Sequence, residues 1–237
     1  MSAIGSGPTV PDGTTFAEAL AILERYGGLD VYPDAVVTRL KNGVRGVVLE
    51  TPKPGDARLA RSKSSVIGGS RSALAGAQSE AVARGYMVHV VEEPVLGEAR
   101  AAGRALLDRA THLVLGRPGK HCILAAGETT VRVSGQGKGG RNQECALAMA
   151  DGIGRISHFA VAASVGTDGV DGPTDAAGGV VDSTTAARAT AAGIGAPDAY
   201  LNDNNSYEFF AALGDLIHTG PTGTNVGDVQ IILVNNT

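Results

Sequence analysis

The residues best suited to chemistry in this 237-residue chain lie in three glycine-rich loops. The first is Gly135-Gln136-Gly137-Lys138-Gly139-Gly140-Arg141-Asn142-Gln143-Glu144, which follows a strand-like stretch and opens a helical one. A helix start offers unpaired N–H groups and the positive end of the peptide dipole, so this junction can seat an anion. Lys138 and Arg141 add charge, and a guanidinium can fork onto two phosphoryl oxygens. The spacing is neither the P-loop GxxxxGK(S/T) nor GxGxxG after a first strand. The competing reading is a solvated hairpin whose arginine pairs with a surface carboxylate.

The second loop, residues 166–178, places Asp168, Asp171 and Asp175 at spacings of three and four after an apolar strand. Ligand sites of α/β folds lie at the carboxyl ends of strands. Hard carboxylate oxygens suit Mg²⁺, which in phosphoryl transfer bridges protein and nucleotide. The EF-hand frame is absent, and a loop of Asx-turns and helix caps is the plainer alternative. The third loop is Thr219-Gly220-Pro221-Thr222-Gly223-Thr224-Asn225, whose plain reading is a connection between strands. Gly-Pro-Thr recurs at 7–9, 172–174 and 220–222, where proline sets a turn and threonine offers a hydroxyl. Asn202, Asn204, Asn205 and Ser206 read first as the N-cap of an aromatic helix. Five scattered histidines show no metal-ligand spacing, and Cys122 and Cys145 form no CxxC pair.

These loops need a scaffold, and helices and strands alternate along the chain. Thr15 and Glu18 form a capping box ahead of Phe16, Leu20 and Leu23. Residues 29–63 read as a long irregular excursion, and Ser65-Val66-Ile67-Gly68 as a short buried strand. A helix is predicted over 72–84, a strand over 86–91 and a helix over 98–110. That order implies parallel strands with helical crossovers. Strands are then predicted over 121–126, 130–134, 157–165 and 228–234. Helices are predicted over 142–150, 183–192 and 206–214. The fold class is α/β: an incomplete Rossmann-like parallel-sheet unit over 1–115, then a second α/β domain with a mixed sheet over 116–237. Two strands bury too little to stand alone, so the first unit either adds to the second sheet or lacks strands upstream of Met1. The latter is the expectation adopted.

Composition narrows the function classes. With 43% apolar and 19% charged residues the chain is globular, and a net charge of −4 argues against nonspecific nucleic-acid or membrane binding. No apolar run reaches the roughly 20 residues of a membrane span, and the start lacks a signal-peptide pattern. Few cysteines and no such leader fit the cytoplasm.

Taken in order, GKGGRNQE (137–144), GTDGVDGPTDAAG (166–178) and TGPTGTN (219–225) resemble the glycerate 2-kinase family, whose carboxy-terminal module is the MOFRL domain. GETTV (127–131), SGPTVPD (6–12), TPKPGD (51–56) and YLNDNNSY (200–207) extend the similarity over nearly the whole chain. The resemblance implies ATP- and Mg²⁺-dependent phosphorylation of D-glycerate at its 2-hydroxyl, in two α/β domains with the site in their cleft. Arg141 matches an arginine that stabilises the transferring phosphoryl. Asp168, Asp171 and Asp175 match an acidic loop, and the pattern leaves open which meets the metal. Asp168 is read with Arg141 as catalytic, and Asp171 and Asp175 as metal ligands. Lys138, Gly139, Gly140, Asn142, Glu128, Thr222, Thr224 and Asn225 are read as nucleotide contacts. Gly69-Ser70 departs from the family's Ser-Asn, and Asp203 from its Asn. Members are about twice as long, which implies a missing amino-terminal half carrying a catalytic lysine. An isolated chain is then expected to be inactive and to self-associate. Two other readings are hydroxypyruvate reduction, against which no dinucleotide fingerprint is placed, and a non-catalytic anion- or nucleotide-binding remnant.

Overall fold

The computed structural model describes residues 10–236, so Gly7-Pro8-Thr9 and the start of SGPTVPD lie outside the described residues. The chain divides into two compact units with the boundary between Ile67 and Gly68. In the first unit, helix α1 (Phe16–Arg25) begins at Thr15, and the reciprocal Thr15–Glu18 capping box forms as expected. Helix α2 (Asp34–Val44) arises inside the stretch expected to be irregular. Phe16 of α1 and Val37 of α2 are the buried apolar residues of these helices, and a Cβ at Gly43 would fall 2.2 Å from the Phe16 ring. The glycine that looks like a helix breaker is thus where an aromatic ring sits.

Residues 65–68 form no strand, and Ile67 is 99% exposed. A strand exists only through a ladder with a neighbour, and a four-residue apolar run carries no such partner by itself.

The second unit opens with helix α3 (Ser70–Ala83) and is built on one seven-stranded sheet. Its strands are β1 (Met87–Val90), β2 (Val95–Glu98), β3 (Gly119–Thr130), β4 (Ala160–Gly166), β5 (Gly178–Asp182), β6 (Leu216–Ile217) and β7 (Asp228–Asn236). The order is β1-β3-β7-β4-β5-β6. β1 and β2 run parallel to β3, one beside residues 121–124 and the other beside 127–130. Helix α4 (Ala99–Val114) is the crossover between β2 and β3. The remaining pairs are antiparallel, so the sheet is mixed. β1 and β2 lie in the same sheet as β7, so they do not form a separate parallel sheet of their own. The strand expected over 130–134 does not form: β3 stops at Thr130, and 131–134 carry no regular structure.

Period-two alternation sorts the core. Ile123, Ala125, Ile232 and Val234 face one layer of helices, against Leu106, Leu147, Ile153, Phe209 and Phe210. Cys122, Leu124, Ile231 and Leu233 face the other side, where Leu74, Ala77 and Ala81 of α3 pack. Each large buried side chain contributes about 1.5–3 kcal/mol. Both cysteines are free and buried, and burial pushes their thiols up, to about 11 for Cys122 and about 12 for Cys145. Neither is therefore expected to be alkylated by iodoacetamide at pH 8 while the protein is folded, and both should react in denaturant. Mass spectrometry of the treated protein reads both states. Among the described residues no helix is long and apolar enough to cross a membrane.

Candidate active site

The three glycine-rich loops meet at one end of the sheet. β3 ends, β4 ends and β7 begins there, at Thr130, Gly166 and Asp228. Helix α5 (Arg141–Leu147) starts from the first loop. The close partner of Arg141 is a buried carboxylate rather than a surface one. The Arg141 Nε and Nη2 donate to the two oxygens of Asp228 at 2.7 and 2.8 Å, and Asp228 is fully buried. Asp228 holds the guanidinium more firmly protonated by these bonds. Asn142 Nδ2 donates to the same carboxylate at 3.0 Å. Glu128 approaches Arg141 at 3.7 Å from the exposed side.

The α5 N-terminus, expected to be open to an anion, is already capped. Asp171 is 1% exposed, and its carboxylate accepts from the amides of Asn142 at 3.0 Å and Gln143 at 2.8 Å. A protein carboxylate thus fills the place reserved for a ligand, by the same N–H and dipole physics. Burial holds the Asp171 carboxyl above its ordinary range, against the pull of those amides.

The glycine loop is likewise occupied from the other side. Asn204 Oδ1 accepts from the amides of Ser134 and Gly135 at 2.7 and 2.9 Å. Asp203 Oδ1 accepts from Gln136 at 2.9 Å, and Asn205 Oδ1 from Lys138 at 3.0 Å. Asn205 is the N-cap of helix α9 (Ser206–Leu213), yet its side chain makes no cap bond. The 203–205 run is a clamp on the first loop, not the helix cap expected. Asn204 sits in the left-handed region at φ 53°, a conformation asparagine tolerates better than most residues. Among the described residues, the amides of Gly139, Gly140 and Arg141 are left without an acceptor.

The other expected site residues divide clearly. Asn142 is buried and spends its side chain on Asp171, Asp228 and Ser164, so it supports the site and does not face a ligand. Lys138 lies over the Tyr207 ring at 4.1 Å, and the Tyr207 hydroxyl donates to Asp175 at 2.8 Å. Asp168 joins the third loop: the Thr222 amide donates to its carbonyl at 3.1 Å, and Asn225 Nδ2 to its carboxylate at 3.4 Å. Thr224 and Thr222 are exposed beside it. Asp171 has both oxygens committed to backbone, and Asp175 is exposed and turned to Tyr207. Among the described residues no three His, Cys, Asp or Glu side chains are placed to hold a metal ion.

Two supporting groups escaped the sequence reading. Asp228 looks like a strand start, although a charged residue two before Gln230 in an apolar run is a signal of polar groups on one inward face. Glu144 is buried between Arg100 Nε at 2.8 Å and Asn204 Nδ2 at 2.7 Å, which ties α4 to the clamp.

Between these elements lies a cavity of about 790 Å³, with Leu96, Val131 and Pro173 on its apolar walls and Glu128 and Arg141 on its polar lip. Gly140 lines it too, and a Cβ there would fall 2.3 Å from Asp171 Cγ. Gly140→Ala is expected to displace Asp171 from the helix start and lower stability by about 1–3 kcal/mol. Thermal unfolding against Gly137→Ala, which would strike the clamp and leave Asp171 in place, separates the two contacts.

A mixed α/β sheet with glycine loops gathered at one end defines the class, and sequence profiles name it. The MOFRL family profile matches residues 121–228, and a domain of unknown function, DUF4147, matches residues 1–41. A glycerate 2-kinase of Pyrococcus horikoshii is 38% identical over all of this chain and 53% of its own length. The crystal structure of a glycerate kinase from Thermotoga maritima superposes with a TM-score of 0.78 at 37% identity, over 98% of this chain and 53% of that one. A glycerate kinase of Macaca fascicularis is 31% identical over 99% of this chain and 69% of its own. This chain belongs to the glycerate 2-kinase family. It spans about half the length of the first two relatives.

Proposed function

We propose that this chain carries the phosphate-handling half of a glycerate 2-kinase site, in which the γ-phosphoryl of ATP passes to the 2-hydroxyl of D-glycerate. One observation carries the reading: Arg141, fixed by a buried carboxylate, lines a cavity walled by the first glycine-rich loop and by Gly172 and Pro173 of the second. Its Nε and Nη2 are spent on Asp228, which leaves Nη1 to meet a phosphoryl oxygen. The unpaired amides of Gly139, Gly140 and Arg141 lie beside it. Positioned charge of this kind is the main protein contribution to phosphoryl transfer. In the same reading Glu128, which lines this cavity, and Lys138, Asp168, Thr222, Thr224 and Asn225 are ligand contacts. The cavity volume is in the range of small-molecule sites.

Mg²⁺ would neutralise charge on the nucleotide when bound. The carboxylates present do not fit a protein-built cage for it, since Asp171 is buried in backbone bonds, so no step is assigned to a metal here. The two free thiols suit a reducing, ATP-containing cytoplasm.

The test is hydrogen exchange with and without ATP. ATP is expected to slow exchange in 128–141 and 166–175 of the chain, and not in Arg141→Ala. Mixed with an amino-terminal half of the Thermotoga maritima relative, the chain should then convert D-glycerate and labelled ATP to labelled phosphoglycerate. No ATP-dependent protection overturns the reading, and turnover by the chain alone overturns the half-site assignment. Sedimentation of the isolated chain is expected to show self-association, and a strict monomer refutes that part.

A further inference from the structure

A second cavity of about 490 Å³ lies at the opposite end of the sheet, where β3 begins, β4 begins and β7 ends. β7 has nine residues, so the two cavities are separated by roughly 25 Å of strand. Arg117, Arg155 and His158 line this second cavity, and no carboxylate is among its described lining residues. Neither guanidinium has an ion-pair or hydrogen-bond partner among the described residues, whereas Arg58, Arg84, Arg104 and Arg188 are all paired. In a chain of net charge −4, two arginines with no partner among the described residues on one concavity are a local reversal of sign. Such a concavity concentrates anions, and the guanidinium fork fits phosphate oxygens. Leu115, Ile156 and Phe159 give the cavity an apolar side, with Thr111, Ser157 and Asn236 as its other polar lining, and Phe159 is 65% exposed. An exposed ring beside unpaired arginines suits a flat body attached to the anion.

We infer that this cavity is a second binding site, for a small organic phosphate with a flat apolar body. It is independent of the kinase reading, because it shares no residue with the Arg141 cavity.

The experiment uses the full chain in an Arg141→Ala background, which removes the first site's cation, with 5′-AMP and inorganic phosphate as separate probes. Hydrogen exchange is expected to slow at 111–118 and 155–159 on adding AMP. Arg117→Gln with Arg155→Gln should weaken AMP roughly tenfold or more, since two charge-assisted contacts are lost. Phe159→Leu should weaken AMP and leave phosphate unchanged, which separates a flat-body site from a bare anion site. Both arginines are exposed, so these variants keep the fold, and a thermal melt confirms it. Protection confined to 128–141, AMP affinity unchanged in the double glutamine variant, or equal Phe159→Leu effects on both probes each overturn the proposal.

Discussion

Asp171→Ala is expected to lower the stability of the unit beginning at Gly68 by about 3–5 kcal/mol. The carboxylate caps two amides of α5, Asn142 and Gln143, with almost no exposure to water. Truncation leaves two buried N–H groups without an acceptor, at about 1–3 kcal/mol each. It also removes the packing against Gly140, where only a glycine leaves room for the carboxylate. Relief of the carboxylate's own desolvation offsets part of this. Asp168→Ala, on a half-buried residue whose carboxylate accepts from Val170 and Asn225 at 3.1 and 3.4 Å, is expected to cost far less. Denaturant titration of both variants makes the comparison. Equal losses would mean that the cap is not what holds the loop.

Asp171 also gives this unit a pH signature. Its carboxyl is held above the ordinary carboxylate value by burial, so the folded state binds its proton more tightly than the unfolded chain. The stabilisation from that proton is complete below the unfolded value and is lost as pH rises through the folded one. Over that acid window the parent should lose stability from this residue on going up in pH. Asp171→Asn keeps one acceptor oxygen and cannot titrate, so its stability curve should lack that slope. An identical slope in the variant would show that another group sets it.

Local physics was legible in the sequence and distant pairing was not. The Thr15–Glu18 box spans three residues and forms as read, as does the strand over 228–234, while the helix read over 142–150 runs from Arg141 to Leu147 and resumes at Ala150. Element order points to parallel strands with helical crossovers, and β1 and β2 do run parallel to β3, but the four-residue β2 does not read as a strand. The cap on α5 comes from a residue 29 positions away, and the clamp on the glycine loop from 67 to 70 positions away. Nothing in the local pattern of Asp171 marks it as a cap for a helix that precedes it. β5 escaped because Gly178 and Gly179 read as loop. A Cβ at Gly178 would meet the Ser164 carbonyl at 1.9 Å, and one at Gly179 the Phe210 ring at 2.6 Å. Close packing demands glycine at the two positions where propensity disfavours it. Which loops meet was therefore readable, and which atoms they leave available to a ligand was not.

That difference fixes what Arg141 substitutions should do in the reconstituted enzyme. Arg141→Ala is expected to reduce phosphoryl transfer 10³–10⁵-fold, roughly 4–7 kcal/mol of transition-state stabilisation. Arg141→Lys should recover little of it. Lysine keeps the charge, but a single ammonium cannot hold both Asp228 oxygens and still present a donor to the phosphoryl group. Both variants also leave Asp228 buried without its fork, at a stability cost of roughly 1.5–3 kcal/mol, so the assay belongs at a temperature where each is shown to be folded. The split between parameters carries the mechanism. A guanidinium that acts as charge develops lowers kcat with little change in the KM for ATP, whereas one that only grips the ground state raises KM. Asp228→Asn is the companion variant: it should lower kcat through a misplaced Arg141, and less than Arg141→Ala does. A kcat for Arg141→Ala within tenfold of the parent would remove the guanidinium from the transfer step and leave it a tether between α5 and β7.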